Sequence, residues 1–383
     1  MMAVALLLPA SLLPSGAATA KVPSSFMGVV ADGPLLADPN VDFGKQVGSM
    51  VGGGVQTIRT SFNWSGVQPY ATLADVPAEQ RDRFHVEHGV PTDFTTTDNL
   101  VSTAAARHMR VLPVLISSPD WAARSAGHIN SPPRHASDYG RYAATLIERY
   151  GPAGSFWREN PKLPKMAISH WQIWNEPSFQ QFWSDQPWAP DYVKLLKAAH
   201  RAIRKADPHA KVVLAGLPNK SWKSLAKVYK AGGRGQFDVA AFHPFTDKVA
   251  GVKTILQRDR KVMAAHGDRR KPLFVTELSW TAAKGKTHVT YGNEQTARGQ
   301  AQRLSAAYTM LAKQRKRLRV ERVYWYTWLS YDRDRFYPFD YAGLVRVKGR
   351  KVSEKPAFKA YRRTALKLEG CRAKRARADR CAR

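Results

Sequence analysis

Apolar residues in this chain follow two rhythms that alternate along most of its length. Short runs rich in Val, Ile, Leu and aromatic residues give way to stretches where apolar positions recur every three or four residues. The first rhythm is that of a strand buried on both faces, and the second is that of an amphipathic helix. Strand-like runs occupy 26–30, 57–61, 111–116, 167–174, 211–216, 237–242, 273–277 and 323–329. Helical spacing fills 138–150, 189–206, 221–231 and 293–315 between them, and 355–361 opens a closing helix. Repeated βα units imply a parallel sheet, and eight of them predict a (β/α)8 TIM barrel, an α/β fold, as one domain over 22–368. Two connections, 63–99 and 330–347, are longer than the rest and follow strand ends. That places them over the face of a barrel where functional groups gather, as walls of a cleft.

Composition agrees with a folded enzyme. Of the 383 residues, 44% are hydrophobic and 10% aromatic, too apolar for a disordered chain. Residues 1–20 carry no charge and close on Ala18-Thr19-Ala20 before Lys21, the small-x-small pattern of a signal-peptidase site. The usual positive residues before the apolar run are missing, so an atypical signal, a start further upstream and a flexible cytosolic N-terminus all remain open. The apolar run is too short and broken to cross a bilayer, which leaves a secreted or envelope-associated protein as the expectation. Only Cys371 and Cys381 are present, bracketing a basic tail over 369–383. In an exported protein they are expected to form a disulfide that closes a small loop and contributes little to the fold. No His or Cys cluster has zinc-ligand spacing, so neither metal nor other cofactor is implied.

Charge adds a question. Sixty Lys and Arg against 30 Asp and Glu give a formal net charge of +30, dense at 313–319, 258–261, 269–271 and 372–380. Two readings stand: solvated helix faces, or attraction to an anionic wall, polymer or acidic substrate. The glycine and aromatic interleaving of an RNA-reading sheet is absent, so no specific nucleic-acid reader is expected.

The chemistry sits at two strand ends. Trp171-Gln172-Ile173-Trp174-Asn175-Glu176-Pro177 is an apolar run that ends on a carboxylate and is stopped by proline, and Leu273-Phe274-Val275-Thr276-Glu277 repeats the design. In a parallel barrel both carboxylates would meet on one face, and a carboxylate pair is what glycosidic hydrolysis requires. Trp171 and Trp174 offer apolar surroundings that would keep a proton on Glu176, and Arg59 is a candidate cation for the other carboxylate. Asn175 could bond the sugar hydroxyl beside the anomeric carbon, or could simply cap a helix. The same duality holds for both glutamates and Arg59, which would also serve as structural ion pairs.

With these residues in view, Trp174-Asn175-Glu176-Pro177 and Thr276-Glu277 resemble the acid/base and nucleophile signatures of glycoside hydrolase clan A, retaining enzymes with the (β/α)8 fold. Ile58-Arg59-Thr60-Ser61-Phe62-Asn63-Trp64, Gln68-Pro69 and Ser117-Ser118-Pro119-Asp120-Trp121 look more like family 39 and its bacterial relatives than like family 5 cellulases. The resemblance implies Glu176 as general acid/base, Glu277 as nucleophile, Asn175 as hydroxyl ligand and Arg59 as partner of the nucleophile. It also implies His243 as a cleft residue, Trp328 as the sugar-stacking platform and Trp280 as a second stacking candidate. Trp64 and Trp121 fit either the cleft or loop packing. The expected activity is hydrolysis of β-glycosidic O-linkages in an oligo- or polysaccharide through a covalent glycosyl-enzyme. A carbohydrate- or wall-binding barrel without turnover is the alternative.

Overall fold

The structure is a computed structural model, and it describes residues 21–370. The expected leader and the expected Cys371–Cys381 disulfide fall outside those residues. Eight parallel strands form one sheet: β1 (Met27–Val30), β2 (Thr57–Asn63), β3 (Arg110–Ile116), β4 (His170–Ile173), β5 (Lys211–Val213), β6 (Ala240–Phe242), β7 (Leu273–Leu278) and β8 (Val320–Trp325). They are ordered β5-β4-β3-β2-β1-β8-β7-β6. Parallel bridges Val213↔Val239 and Leu217↔Phe242 join the two edges and close the barrel. A helix follows every strand: α1 (Phe43–Gly52), α2 (Thr95–Ala105), α3 (Ala136–Tyr150), α4 (Trp188–Ala206), α5 (Ser221–Lys230), α6 (Val249–Ala265), α7 (Ala297–Leu318) and α8 (Pro356–Leu368).

Six of the eight strands, all but β2 and β4, divide their apolar side chains between two cores. Val30, Leu112, Val213, Ala241, Phe274 and Tyr324 fill the barrel, while their neighbours in sequence join the larger layer under the helices. Three tyrosines tie helices to strand ends close to the site. Tyr139 donates to the Leu115 carbonyl at 2.7 Å, Tyr142 to that of Phe62 at 2.9 Å, and Tyr192 to that of Ile173 at 3.1 Å. Each is a buried bond contributing about 1 kcal/mol and holding a strand end in register with its helix.

The long connections are where the pattern placed them. Residues 64–94 hold a helical turn, two 3-10 turns and a hairpin pairing His85–Glu87 with Val90–Thr92. Residues 329–354 contain a small three-stranded sheet. Boundaries differ most at two strands. The fourth is shorter than expected at both ends, starting at His170 and stopping where Trp174 turns into the left-handed region at φ 66°. The eighth starts earlier and ends at Trp325 rather than running to residue 329.

Candidate active site

Glu176 leaves the barrel three residues after β4, on a turn that its surroundings hold in a costly conformation. Glu176 itself has φ 41°, a region non-glycine residues seldom occupy. The Glu176 amide donates to the Gly216 carbonyl at 3.1 Å, and the Trp174 amide to that of Leu115 at 3.0 Å. The Trp174 indole donates to the Phe182 carbonyl at 2.6 Å. The turn thus swings the carboxyl over the barrel mouth rather than out to solvent. Glu277, by contrast, lies within β7, where the pairing with β8 slips by one residue between Val275 and Leu278.

Arg59 connects the parts. On β2 and 2% exposed, it donates from Nε to Gln172 Oε1 at 2.8 Å and from its two terminal nitrogens to Glu277 Oε1 at 2.9 Å and Asn175 Oδ1 at 2.7 Å. The fork geometry of guanidinium makes this three-way contact possible. Because Arg59 takes the Asn175 oxygen, the amide nitrogen of Asn175 is turned toward the cleft as a donor.

His243, at the end of β6 and fully buried, sets Nδ1 at 2.7 Å from Glu176 Oε1 and 3.7 Å from Glu277 Oε2. Glu176, His243 and Glu277 each bring a ligand atom within 4.8 Å of the others. A metal bridging all three would have to part the Glu176–His243 contact and share Glu277 with the Arg59 cation. The spacing therefore suits a proton held between His243 and Glu176 better than an ion. The far side of the imidazole faces Gly216, where an added Cβ would lie 2.0 Å from Nε2.

The two carboxyls sit in different electrostatic settings. Burial pushes Glu176 up to about 8, with only partial relief from Arg59. Burial raises Glu277 too, but the Arg59 guanidinium, in direct contact, pulls it back toward the ionised form. Burial drives His243 down to about 3, so the imidazole is neutral at ordinary pH. Glu176 is then the group that holds a proton at neutral pH, and Glu277 the one with a cation in direct contact.

Two of the expected residues lie elsewhere. Trp328 is fully buried; its indole donates to Gln46 of α1 at 3.0 Å and its ring meets Phe358 of α8 edge-on at 5.5 Å. The strand ends three residues before Trp328, which leaves it in the layer between barrel and helices. Trp280 is also fully buried, its indole donating to the Asp247 carbonyl at 3.1 Å. Neither ring has a free face for a sugar. Trp64 and Trp121 pack loops, meeting each other at 5.6 Å and both bonding to Gln68.

Among the aromatics that border the site is Tyr326, the residue right after β8; Phe245 is another, its ring meeting that of His243 at 6.3 Å. Tyr326 is half-buried, its hydroxyl is coupled to Tyr337, and it feels the charge of Glu277. Phe245 and Phe339 pack on it edge-to-face at 6.4 and 5.5 Å. Asp32, at the end of β1, is a third carboxyl near Arg59, bonded to the Thr60 hydroxyl at 3.1 Å and the Ser61 amide at 3.0 Å. Gln172, Gly216, Tyr326 and Asp32 were not singled out from the pattern. Gln172 did leave a trace there, as a polar residue set between the apolar Trp171 and Ile173.

Known proteins similar to this chain carry glycosidase names. A β-xylosidase of Geobacillus stearothermophilus is 25% identical over 177 residues, covering 42% of this chain and 32% of that enzyme. A family 39 glycoside hydrolase from Bacteroides cellulosilyticus superposes with a TM-score of 0.62 at 17% identity, over 90% of this chain and 64% of that one. A monomeric β-xylosidase from Caulobacter crescentus gives 0.62 at 18% identity, over 90% and 69%. No protein-family model matches the chain. The chain is thus similar in sequence to a β-xylosidase and in fold to family 39 enzymes among other glycosidases, and it spans about a third of the β-xylosidase from Geobacillus.

Proposed function

We propose that this protein is a retaining glycoside hydrolase acting on β-linked sugars. The observation that carries the reading is the spacing of two unlike carboxyls: oxygens of Glu176 and Glu277 lie within 4.8 Å. Oxygens this close leave no room between the carboxyls for the water that an inverting pair, with its groups roughly 6.5 to 9.5 Å apart, has to admit. Glu176 gives its proton to the leaving glycosidic oxygen while a Glu277 oxygen attacks the anomeric carbon, forming a glycosyl ester. Glu176, now ionised, takes a proton from water, which displaces the sugar from Glu277. Asn175 donates to the neighbouring hydroxyl, and Tyr326 offers its ring to the sugar's apolar face.

The uncharged leader at 1–20 supports a place outside the cytoplasm or in the envelope.

The test is intact mass and peptide mapping after incubation with 2-fluoro activated glycosides of several neutral sugars and of a uronate. A sugar adduct on Glu277, absent in Glu277→Gln, is the expected result. Turnover of natural glycans by the Glu277→Gln variant would overturn the proposal.

A further inference from the structure

The net charge of +30 is concentrated away from the mouth. Helices α7 and α8 pack side by side and together carry ten Lys and Arg with no Asp or Glu. Between their C-terminal halves runs a groove of about 480 Å³, rimmed by Lys21, Lys313, Arg363 and Lys367, with Thr309 and Thr364 among its lining. The groove is a built feature rather than a gap. The Lys21 amide donates to the Leu368 carbonyl at 2.7 Å, and the Lys21 carbonyl accepts from Arg315 Nε at 2.9 Å. Thr364 donates to Ser305 at 3.0 Å across the two helices. Lys313, Arg363 and Lys367 form no ion pair among the described residues. A second depression continues the groove across α8, lined by Lys359, Arg362 and Arg363 with Glu354 as its one acid.

Helices in this barrel run down from the mouth, so the C-terminal halves of α7 and α8 lie toward the opposite end. An anion seated there does not reach Glu176 or Glu277. Nor does the chain supply its own occupant. Residues 1–20 carry no charge, and residues 371–383 carry six Lys and Arg against one Asp.

We infer that the α7–α8 groove is a docking track for an extended anionic polysaccharide, which holds the enzyme on a charged matrix while the mouth at the other end of the barrel stays free to work. The track offers ammonium and guanidinium groups with hydroxyls between them, which suits carboxylates spaced along a flexible chain. No exposed aromatic ring lies among its lining residues for a base to stack on, which disfavours single-stranded nucleic acid.

The experiment uses the full chain and two variants with the same change in net charge. One carries Lys313→Glu, Arg363→Glu and Lys367→Glu; the control carries Lys223→Glu, Lys227→Glu and Lys230→Glu on the exposed face of α5. Binding to polygalacturonate, single-stranded DNA and vesicles rich in anionic lipid is measured at several salt concentrations, with thermal unfolding checking that both variants fold. The expected result is that the parent binds polygalacturonate most tightly of the three. The groove variant then loses affinity roughly tenfold or more with a shallower salt dependence, and the control changes roughly twofold or less. Equal losses in both variants would show diffuse attraction to net charge and overturn the track. Tighter binding to DNA or vesicles, lost in the groove variant, would overturn the polysaccharide as its occupant.

Discussion

The guanidinium of Arg59 on β2 donates to Oε1 of Glu277 on β7 at 2.9 Å, with both groups almost fully out of water. A cation in that position lowers the cost of ionising Glu277 and aims its other oxygen at the cleft. Arg59→Ala would leave a buried carboxylate without its partner, at a cost of about 3–5 kcal/mol in stability. Arg59→Lys keeps a charge but not the fork, so it cannot hold Glu277, Asn175 and Gln172 together. We expect kcat/KM for Arg59→Lys to fall on the order of 100-fold, with the acidic limb of its pH profile moved upward because Glu277 ionises less readily. An unmoved acidic limb would separate Arg59 from Glu277.

Gly216 sets the position of His243 by having no side chain. A Cβ there would lie 2.0 Å from Nε2, and the imidazole can yield only by moving off Glu176. Gly216→Ala should therefore lower kcat by roughly 10- to 100-fold, as misplacement of a catalytic group by about an ångström does. Thermal unfolding of the same variant, together with its pH profile, distinguishes this from unfolding: the alkaline limb should shift once the contact with Glu176 is lost. Unaltered kinetics would mean that His243 has room the geometry does not show.

The barrel was legible because its strands are apolar on both faces and its helices on one, so both rhythms survive in the chain. The carboxylate pair was legible for a related reason: Glu176 and Glu277 each end an apolar run where nothing about burial calls for a charge. Trp328 shows where such reasoning stops. Pattern alone extends the last strand to residue 329, whereas the chain leaves the barrel at Tyr326, and three residues decide whether a ring faces sugar or helix. Arg59 could be placed at a strand end, yet its bond to Gln172 is a relation between two strands that no local window contains. Gly216 is invisible for the same reason, since its meaning lies in a ring contributed by another strand.

The contrast between Tyr326 and Trp328 can be measured. Trp328→Ala should cost about 3–5 kcal/mol of stability and leave KM within error, because its ring packs between barrel and helices. Tyr326→Ala should raise KM roughly tenfold, corresponding to about 1.4 kcal/mol of lost ring contact, with a smaller change in melting temperature. The reverse pattern, binding lost with Trp328 and kept with Tyr326, would restore the platform the sequence suggested.

Burial of Glu176 links its catalytic role to stability. A carboxyl that ionises at about 8 in the fold, against an ordinary 4.5, keeps its proton through the interval where the unfolded chain has lost it. The folded state then binds more protons than the unfolded one, so stability falls as pH rises. The contribution is fully present below 4.5 and is lost as pH climbs through about 8. Glu176→Gln removes the titration while keeping the shape. Its stability should match that of the parent near pH 4 and exceed it above pH 8, by an amount on the order of a few kcal/mol. Activity follows the same proton with the opposite consequence for the variant. In the parent, cleavage of substrates with poor leaving groups should decline as pH rises through about 8. The Gln variant should cleave only substrates with good leaving groups, with no alkaline limb to its profile. Denaturant unfolding of both proteins across this range decides the matter. Parallel curves would mean that Glu176 is ionised in the fold at neutral pH, and the assignment of acid and nucleophile would then have to be reversed.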